Sequence, residues 1–292
     1  MNDFVIDHHG DASLFRAALS FTAAETGFSE RLIEKDYYCS VALADLCASD
    51  ETAIVFKGGT CLSKIHAEFF RLSEDLDFSL STPIDSTRSQ RSKGLSGFKR
   101  HFAGISHRCD CFRMDQPLAG FNNSLQYGAR LAYRSVISGQ AEYLKVEVSV
   151  REPIVEPHES LPARTLLLDP FRRAAAVKPF NVRVLTQREA YAEKLRAALS
   201  RRVPAIRDFF DLDHAFAAGK VSPSDTALVR MLRGKLAVPA NEPVDVSEAK
   251  LIILRAQVET DLRPVIRVVD FQNFDVDRAF TRVAKFAEAA KD

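Results

Sequence analysis

The sequence predicts an α+β protein, with a mixed-sheet N-terminal domain over residues 1–180 and a helical C-terminal domain over residues 181–292. Three observations support this fold class. Short apolar or alternating segments, which are typical of strands, lie in the first part of the chain. Two helical patterns precede the first of these strands. From residue 186 onward every pattern has a helical period, with breaks at Pro204, Pro223 and Pro243.

The N-terminal domain begins with two helices within residues 12–47, and Ser29 is the predicted N-cap of the second. A strand, a helix and a second strand follow, at 53–56, 61–70 and 75–80. The other predicted elements are a polar loop followed by a helix within 81–100, paired strands over 126–135 and 142–150, and a short strand over 181–185.

Five helices are predicted in the C-terminal domain, at 187–202, 205–218, 223–234, 246–262 and 275–290. Thr186 opens the first of them with a capping box that is completed by Glu189. The chain is long enough for a separate hydrophobic core in each domain.

Composition predicts a globular protein in a reducing compartment. Apolar residues make up 46% and charged residues 27% of the chain, and no apolar run approaches the roughly 18 residues of a membrane span. The acidic N-terminus lacks the apolar region of a secretory signal, and the five cysteines lack framework spacing. We therefore expect a cytoplasmic protein without a membrane partner. The net charge of +1 points to no class of partner.

Residues 56–80 carry the most informative motif, a Gly-Gly-Thr turn about one helix-length ahead of a D-x-D. Side chains two apart on a strand point to the same face, so Asp75 and Asp77 stand side by side while Leu76 and Phe78 enter the core. Two adjacent carboxylates favour a divalent cation, and Mg²⁺ is expected because it combines protein carboxylates with phosphate oxygens. Mn²⁺ prefers the same oxygen ligands.

The turn Gly58-Gly59-Thr60 can bring backbone N–H groups close to a phosphate at the start of a helix. Of the two lysines that flank it, Lys64 is the better candidate for the β- and γ-phosphates, because it lies one turn after Thr60. Ser73 is expected on the same face as Asp75. Each motif alone is often a plain turn or a solvated strand edge, but together they indicate nucleotide chemistry with an NTP.

Glu147 is the candidate third carboxylate of the metal site. It lies on the polar face of a strand whose valines should be buried, so it needs either a metal or a basic partner. Lys145, on the same face, could be that partner. Two metals shared by three carboxylates would support in-line displacement at phosphorus.

A second constellation lies in the helical domain. Asp208 and Asp211 are three residues apart and therefore share one helix face. Lys194 lies on the preceding helix among apolar residues, and an antiparallel helical hairpin would bring the three together. The alternative is a structural salt-bridge network between the two helices.

Four segments have counterparts in one known family. They are IEKDYY at 33–38, FKGGTCLSK at 56–64, RLSEDLDF at 71–78, and AEKLR at 192–196 followed by RDFFD at 207–211. With these segments the sequence resembles the AbiEii/AbiGii-type nucleotidyltransferase toxins of the DNA polymerase β-like superfamily. The stretch between Lys194 and Arg207 is slightly longer than usual, which leaves open whether Asp208 or Asp211 fills the acidic position.

The resemblance implies a nucleotidyltransferase core in which the Gly-Gly-Thr turn holds nucleotide phosphates and the D-x-D holds Mg²⁺. It also implies that the helical domain contributes Lys194 and Asp211 to the active site, with Lys194 on the triphosphate. The implied function is a toxin, paired with an antitoxin, that transfers NMP from an NTP to an RNA such as tRNA. The alternatives are transfer to a small-molecule or protein hydroxyl, and a non-catalytic nucleotide-binding module.

Overall fold

The computed structural model describes residues 7–49 and 52–291. It divides into two compact units, with the boundary between Leu185 and Thr186. The boundary follows residue 180 because the strand Phe180–Val184 pairs within the sheet of the first unit. The α+β class predicted from the sequence is confirmed, since the mixed sheet lies in the first unit and the second is helical.

A mixed sheet organises the first unit, and in the described residues it has seven strands in the order β3-β4-β5-β2-β1-β9-β6. β2 is parallel to β5 and β1 is parallel to β9, while the other neighbours are antiparallel. β7 and β8 form a separate two-stranded ribbon. The strands are β1 (Ile54–Lys57), β2 (Asp75–Leu80), β3 (Arg113–Phe121), β4 (Gln126–Arg134), β5 (Ala141–Ser149), β6 (Glu159–Ala163), β7 (Leu168–Asp169), β8 (Ala174–Ala175) and β9 (Phe180–Val184).

Helices precede and interrupt this sheet. They are α1 (Ala12–Thr26), α2 (Glu30–Cys47), α3 (Gly58–Cys61), α4 (Arg88–Gly94), α5 (Ser96–Ala103) and α6 (Ile105–Arg108). α3 continues into a π-helical turn at Leu62–His66. Ser29 is the N-cap residue of α2, as predicted, and its backbone is extended there.

Strict alternation along the central strands separates a core face from a polar face. Leu76 and Phe78 of β2 are fully buried, as are Val146 and Val148 of β5. Their neighbours at odd positions point to the opposite face. This alternation is what places acidic side chains together on one side of the sheet.

Three local predictions need correction. The helix predicted over 61–70 begins earlier, at Gly58, and its π-helical turn ends at His66. The polar stretch after residue 81 is a loop only as far as Thr87, because a capping box between Thr87 and Gln90 starts α4 there. Strands β3 and β6 of the sheet, and the short strands β7 and β8, were not predicted.

The second unit consists of α7 (Gln187–Ser200), α8 (Ile206–Ala217), α9 (Thr226–Leu236), α10 (Glu248–Gln257), α11 (Val268–Asn273) and α12 (Val276–Ala289). The Thr186 hydroxyl accepts a hydrogen bond from the Glu189 N–H at 3.2 Å, which supports the predicted cap. Lys235 of α9 forms a buried ion pair with Glu189 of α7 at 2.7 Å. None of the helices in the described part of the chain is long and apolar enough to cross a membrane.

Candidate active site

The two carboxylates of the D-x-D lie on the polar face of β2. Asp75 and Asp77 are partly exposed, while Leu76 and Phe78 on the other face are fully buried. β2 begins at Asp75, so both carboxylates lie in the first half of the strand. The side-by-side arrangement predicted from the alternating pattern is therefore present.

Strand register surrounds the two aspartates with further charged residues. In the parallel pairing of β2 with β5, Asp77 lies opposite Glu147 and Asp75 lies opposite Lys145. In the antiparallel pairing with β1, Asp77 lies opposite Lys57. Residues directly opposite one another on neighbouring strands share a face. Three carboxylates and two lysines thus occupy adjacent positions on one side of the sheet.

Glu147 forms an ion pair with Lys145, whose amino nitrogen lies 2.8 Å from the Glu147 carboxylate. Burial acts to lower the pKa of Lys145, but the hydrogen bond to Glu147 and the charges of Glu147, Asp75 and Asp77 outweigh it, and the pKa is raised. Within the described residues, no group of three or more His, Cys, Asp or Glu side chains is arranged to hold a metal ion. Glu147 as a third metal ligand remains a prediction, because its carboxylate would have to leave the ion pair with Lys145 in order to bind the metal.

Gly58 lies directly against the carboxylate of Asp77. Its φ is +77°, and a Cβ atom at this position would lie 2.3 Å from Oδ2 of Asp77 and 2.8 Å from its Cβ. Both the left-handed backbone and the contact exclude a side chain here. The turn therefore brings the main chain as close to the carboxylates as the fold allows.

The next two residues of the turn attach it to the strand that carries the aspartates. A Cβ at Gly59 would lie 3.0 Å from Oγ of Ser73 and 2.7 Å from a guanidinium nitrogen of Arg71. The Thr60 hydroxyl donates to the backbone carbonyl of Asp75 at 2.5 Å. Ser73 thus lies beside the turn, its place on the face of Asp75 remains a prediction, and the Thr60 side chain fixes the turn to β2.

Arg71 is the residue of this region that sequence reasoning missed. It is 2% exposed, and a guanidinium nitrogen donates to the Leu72 carbonyl at 3.1 Å. Its fixed positive charge lies next to Gly59. The short link from Arg71 to the D-x-D is the sequence signal that could have indicated this position.

Lys64 contradicts its predicted role as a phosphate ligand. Its side chain is fully buried, and its amino group lies 2.5 Å from the carboxylate of Asp36. The same nitrogen donates to the Ser40 hydroxyl at 2.7 Å and to the backbone carbonyls of Asp36 and Arg164 at 3.1 and 3.4 Å. Because these oxygens take up its donors inside the core, Lys64 is a structural residue.

Lys194 of the second unit meets both predicted aspartates. Its amino nitrogen lies 2.9 Å from Asp208 and 3.0 Å from Asp211, because α7 and α8 form the expected hairpin. The carboxylate of Asp208 also accepts from Arg201 at 3.3 Å. Because Lys194 contacts both aspartates, these contacts do not choose between Asp208 and Asp211 for the family's acidic position.

Asp211 is the most buried carboxylate of this cluster, and its charge affects the pKa values of two neighbouring side chains. The Asp211 side chain is 0% exposed, while Lys194 keeps 11% of its side chain exposed. Burial, with a smaller contribution from the charge of Asp211, raises the pKa of Tyr191 to about 12. Burial also lowers the pKa of His214, although Asp211 acts in the opposite direction. Lys194 is therefore a partly accessible cation in contact with two largely buried carboxylates.

Comparisons with known proteins identify a family and a similar fold. The family model described as "Nucleotidyl transferase AbiEii toxin, Type IV TA system" matches residues 41–285. The crystal structure of JHP933 from Helicobacter pylori is similar over 90% of this chain and 94% of its own, with 16% identity and a TM-score of 0.51. A second H. pylori structure, described as a "putative nucleotidyltransferase", aligns over 98% of this chain and 96% of its own, with 16% identity and a TM-score of 0.45. No curated protein matches the sequence.

JHP933 has a similar fold. The assignment to a family depends on the family model, which matches most of the sequence, including the turn, the D-x-D and the Lys194 cluster. The chain therefore belongs to the AbiEii toxin family of type IV toxin–antitoxin systems, and it is a nucleotidyltransferase.

Proposed function

We propose that this enzyme transfers NMP from an NTP to an RNA acceptor such as tRNA, in a Mg²⁺-dependent reaction that makes it a toxin. The observation that carries the proposal is the close approach of Gly58 to Asp77, which places the Gly-Gly-Thr turn directly against the pair of carboxylates. Family membership supports the transfer and the existence of a cognate antitoxin. The RNA acceptor and the metal are the parts that experiment must test.

Asp75 and Asp77 are the residues that would hold Mg²⁺. Their carboxylates are the hard oxygen ligands that this ion prefers, and their charges, with that of Glu147, act to raise the pKa of Lys145, which supports a face that favours positive charge. When bound, the ion would polarise the phosphoryl oxygens and favour ionisation of the attacking hydroxyl. Mn²⁺ should substitute, because it accepts the same ligands. Glu147 would join only by leaving Lys145.

The protein's own contribution to phosphate binding comes from the turn. The first amides of a helix have no intrahelical acceptor, and α3 begins at Gly58. N–H groups of the turn are therefore candidate donors for an anion, and Gly58 at the start of the turn is partly exposed. Ser73 lies beside Gly59 and adds a hydroxyl donor. Arg71 adds positive charge next to the same glycine.

We include Lys194, Asp208 and Asp211 in the proposal as residues that act on the triphosphate. What supports this is the partial exposure of Lys194, whose charge is balanced by two carboxylates. A triphosphate could replace part of that balance without leaving the lysine unpaired. The alternative, a purely structural cluster, predicts that removing the charge alters stability alone.

The proposal is tested by offering each labelled NTP with Mg²⁺ to total RNA, to protein and to small hydroxyl compounds. We expect the labelled nucleotide to be incorporated into RNA. Incorporation should stop when Mg²⁺ is chelated and should resume when Mn²⁺ is added. Label in protein or in a small molecule would replace the RNA acceptor with one of the alternatives. Thermal stabilisation by NTP without any transfer would indicate a non-catalytic binding module.

A further inference from the structure

The polar face that carries the carboxylates continues across β5, β4 and β3. Asp75 lies opposite Lys145, and Lys145 lies opposite Arg130 on β4. Further along, Ala132 lies opposite both Tyr143 and Arg113. We call this surface the basic face, defined by Arg113, Arg130, Arg134, Tyr143 and Lys145, which share the side of the sheet occupied by Asp75, Asp77 and Glu147.

Positive charge and an exposed aromatic ring occur together on the basic face. The Arg130 guanidinium lies over the Tyr143 ring, 4.5 Å from its centroid, and also pairs with Asp115. Tyr143 is 37% exposed. Arg113 and Arg134 are exposed as well, and their side chains form no ion pair with any other described residue. The face therefore offers both phosphate-binding charges and a stacking surface.

A cavity of about 390 Å³ lies at the far end of the basic face. Arg113 and Arg134 line it, together with one carboxylate, Asp110, and with Cys111, Tyr133 and Ala141. This volume falls in the range of about 300–1,000 Å³ found for small-ligand sites. Ala141 is six residues before Glu147 on β5, a separation of about 20 Å along the strand. Arg113, Arg134 and Ala141 share the face of the carboxylates, whereas Tyr133 lies on the opposite face, so the cavity lies at the strand ends, beyond the carboxylates.

We propose that the basic face binds the acceptor polynucleotide as a single strand, with one nucleotide in the Arg113–Arg134 cavity and the reacting end at the carboxylates. This rests on the proposed function, in which the acceptor is a nucleic acid. Phosphates match the two unpaired arginines, and a base can stack on an exposed ring. An acidic protein segment would also complement the positive charges, but it has no base to stack on the Arg130–Tyr143 pair.

The test measures binding of a short fluorescent single-stranded RNA, and of DNA with the same sequence, over a range of salt concentrations. The double variant Arg113→Ala/Arg134→Ala should bind at least tenfold more weakly. Each phosphate contact to a single strand contributes about 0.7 to the salt slope, so the slope should fall by about 1.4. A loss of affinity for DNA with none for RNA would overturn the assignment of this face to the RNA acceptor.

Lys178→Ala/Arg230→Ala is the matched control, because it removes two exposed positive charges outside the basic face. We expect its RNA affinity and salt slope to equal those of the wild type. Melting temperatures and the KM for NTP should be unchanged in both double variants. A loss of affinity in the control as large as in Arg113→Ala/Arg134→Ala would overturn the proposal, because net charge alone would then explain binding.

Failure of this proposal is distinguishable from failure of the proposed function. If the wild type labels RNA while Arg113→Ala/Arg134→Ala keeps its RNA affinity, the basic face is not the acceptor surface and the RNA transfer stands. If the arginine variant loses RNA binding but the wild type labels no RNA, the surface stands and the transfer to RNA fails. Equal binding of polyglutamate and RNA by the wild type would overturn the polynucleotide assignment.

Discussion

Lys64 and Lys194 form similar ion pairs with aspartates but differ in access. Lys64 is 0% exposed and contacts Asp36 at 2.5 Å. Lys194 is 11% exposed and contacts Asp208 and Asp211 at 2.9 and 3.0 Å. The sequence offered both lysines as phosphate ligands. We therefore propose that exposure, and not the presence of an ion pair, separates the structural Lys64 from Lys194 as a candidate ligand of the triphosphate.

The largest effect on stability is expected from Lys64→Met. The change leaves the Asp36 carboxylate buried without its cation, although the Leu166 N–H still donates to it at 3.0 Å. Breaking a buried pair by removing one partner costs about 3–5 kcal/mol, so the free energy of unfolding should fall by that amount. Urea denaturation measures the change.

Lys178→Met is the control for this prediction, since Lys178 is exposed in the same unit and its loss should leave stability unchanged. The double variant Asp36→Asn/Lys64→Met should recover part of the loss, because the uncompensated charge is gone. Near wild-type stability of Lys64→Met would mean that the pair is not structural, and the comparison with Lys194 would fail.

Lys194→Met should fold and lose most of its transfer activity. If Lys194 neutralises triphosphate charge, turnover per folded molecule should fall roughly 100-fold, which corresponds to about 2.7 kcal/mol of transition-state stabilisation. Titration calorimetry with a non-hydrolysable NTP analogue shows whether the loss lies in binding. Some destabilisation is expected too, since Asp211 is fully buried.

Lys194→Arg is the matched variant, because it keeps the charge and should retain more activity than Lys194→Met. If Lys194→Met leaves both affinity and turnover unchanged, Lys194 is structural like Lys64. Loss of growth inhibition in cells that express Lys194→Met would agree with the catalytic interpretation only if the protein accumulates to wild-type levels.

The smallest effects are expected at Lys145 and Glu147, an ion pair in which the side chains are 55% and 30% exposed. Lys145→Ala should change stability by less than about 1 kcal/mol, because exposed pairs contribute little. Glu147→Gln should lower transfer about tenfold and raise the Mg²⁺ requirement if Glu147 exchanges Lys145 for the metal. If both variants lower the melting temperature by the same small amount and both keep full transfer activity, Glu147 serves only as the ion-pair partner of Lys145.

Much of the fold could be predicted from local patterns. Strand β2 matched its predicted limits because its apolar residues alternate strictly, and α1 and α2 lie where their helical patterns indicated. β3 and β6 were missed because they contain Pro117 and Pro162, and most of their residues are exposed. Such strands lie at the two edges of the sheet, where sequence alternation is weakest.

In the candidate site, too, local patterns could be predicted and tertiary contacts could not. Asp75, Asp77 and Gly58 could be placed because spacing along one strand and one turn determines their geometry. Lys64 could not, since its partner Asp36 lies 28 residues away and only tertiary packing brings them together. The pairing of Asp77 with Glu147 also depends on register between distant strands, which a single sequence does not encode locally.

The most direct test of the central claim is transfer by Asp77→Asn. This change keeps the size of the side chain beside Gly58 and removes the charge that a metal needs. We expect an unchanged melting temperature and a loss of labelled-nucleotide incorporation into RNA of at least about 1,000-fold, equivalent to about 4 kcal/mol. A folded Asp77→Asn enzyme that still transfers nucleotide at a rate near that of the wild type would contradict the account.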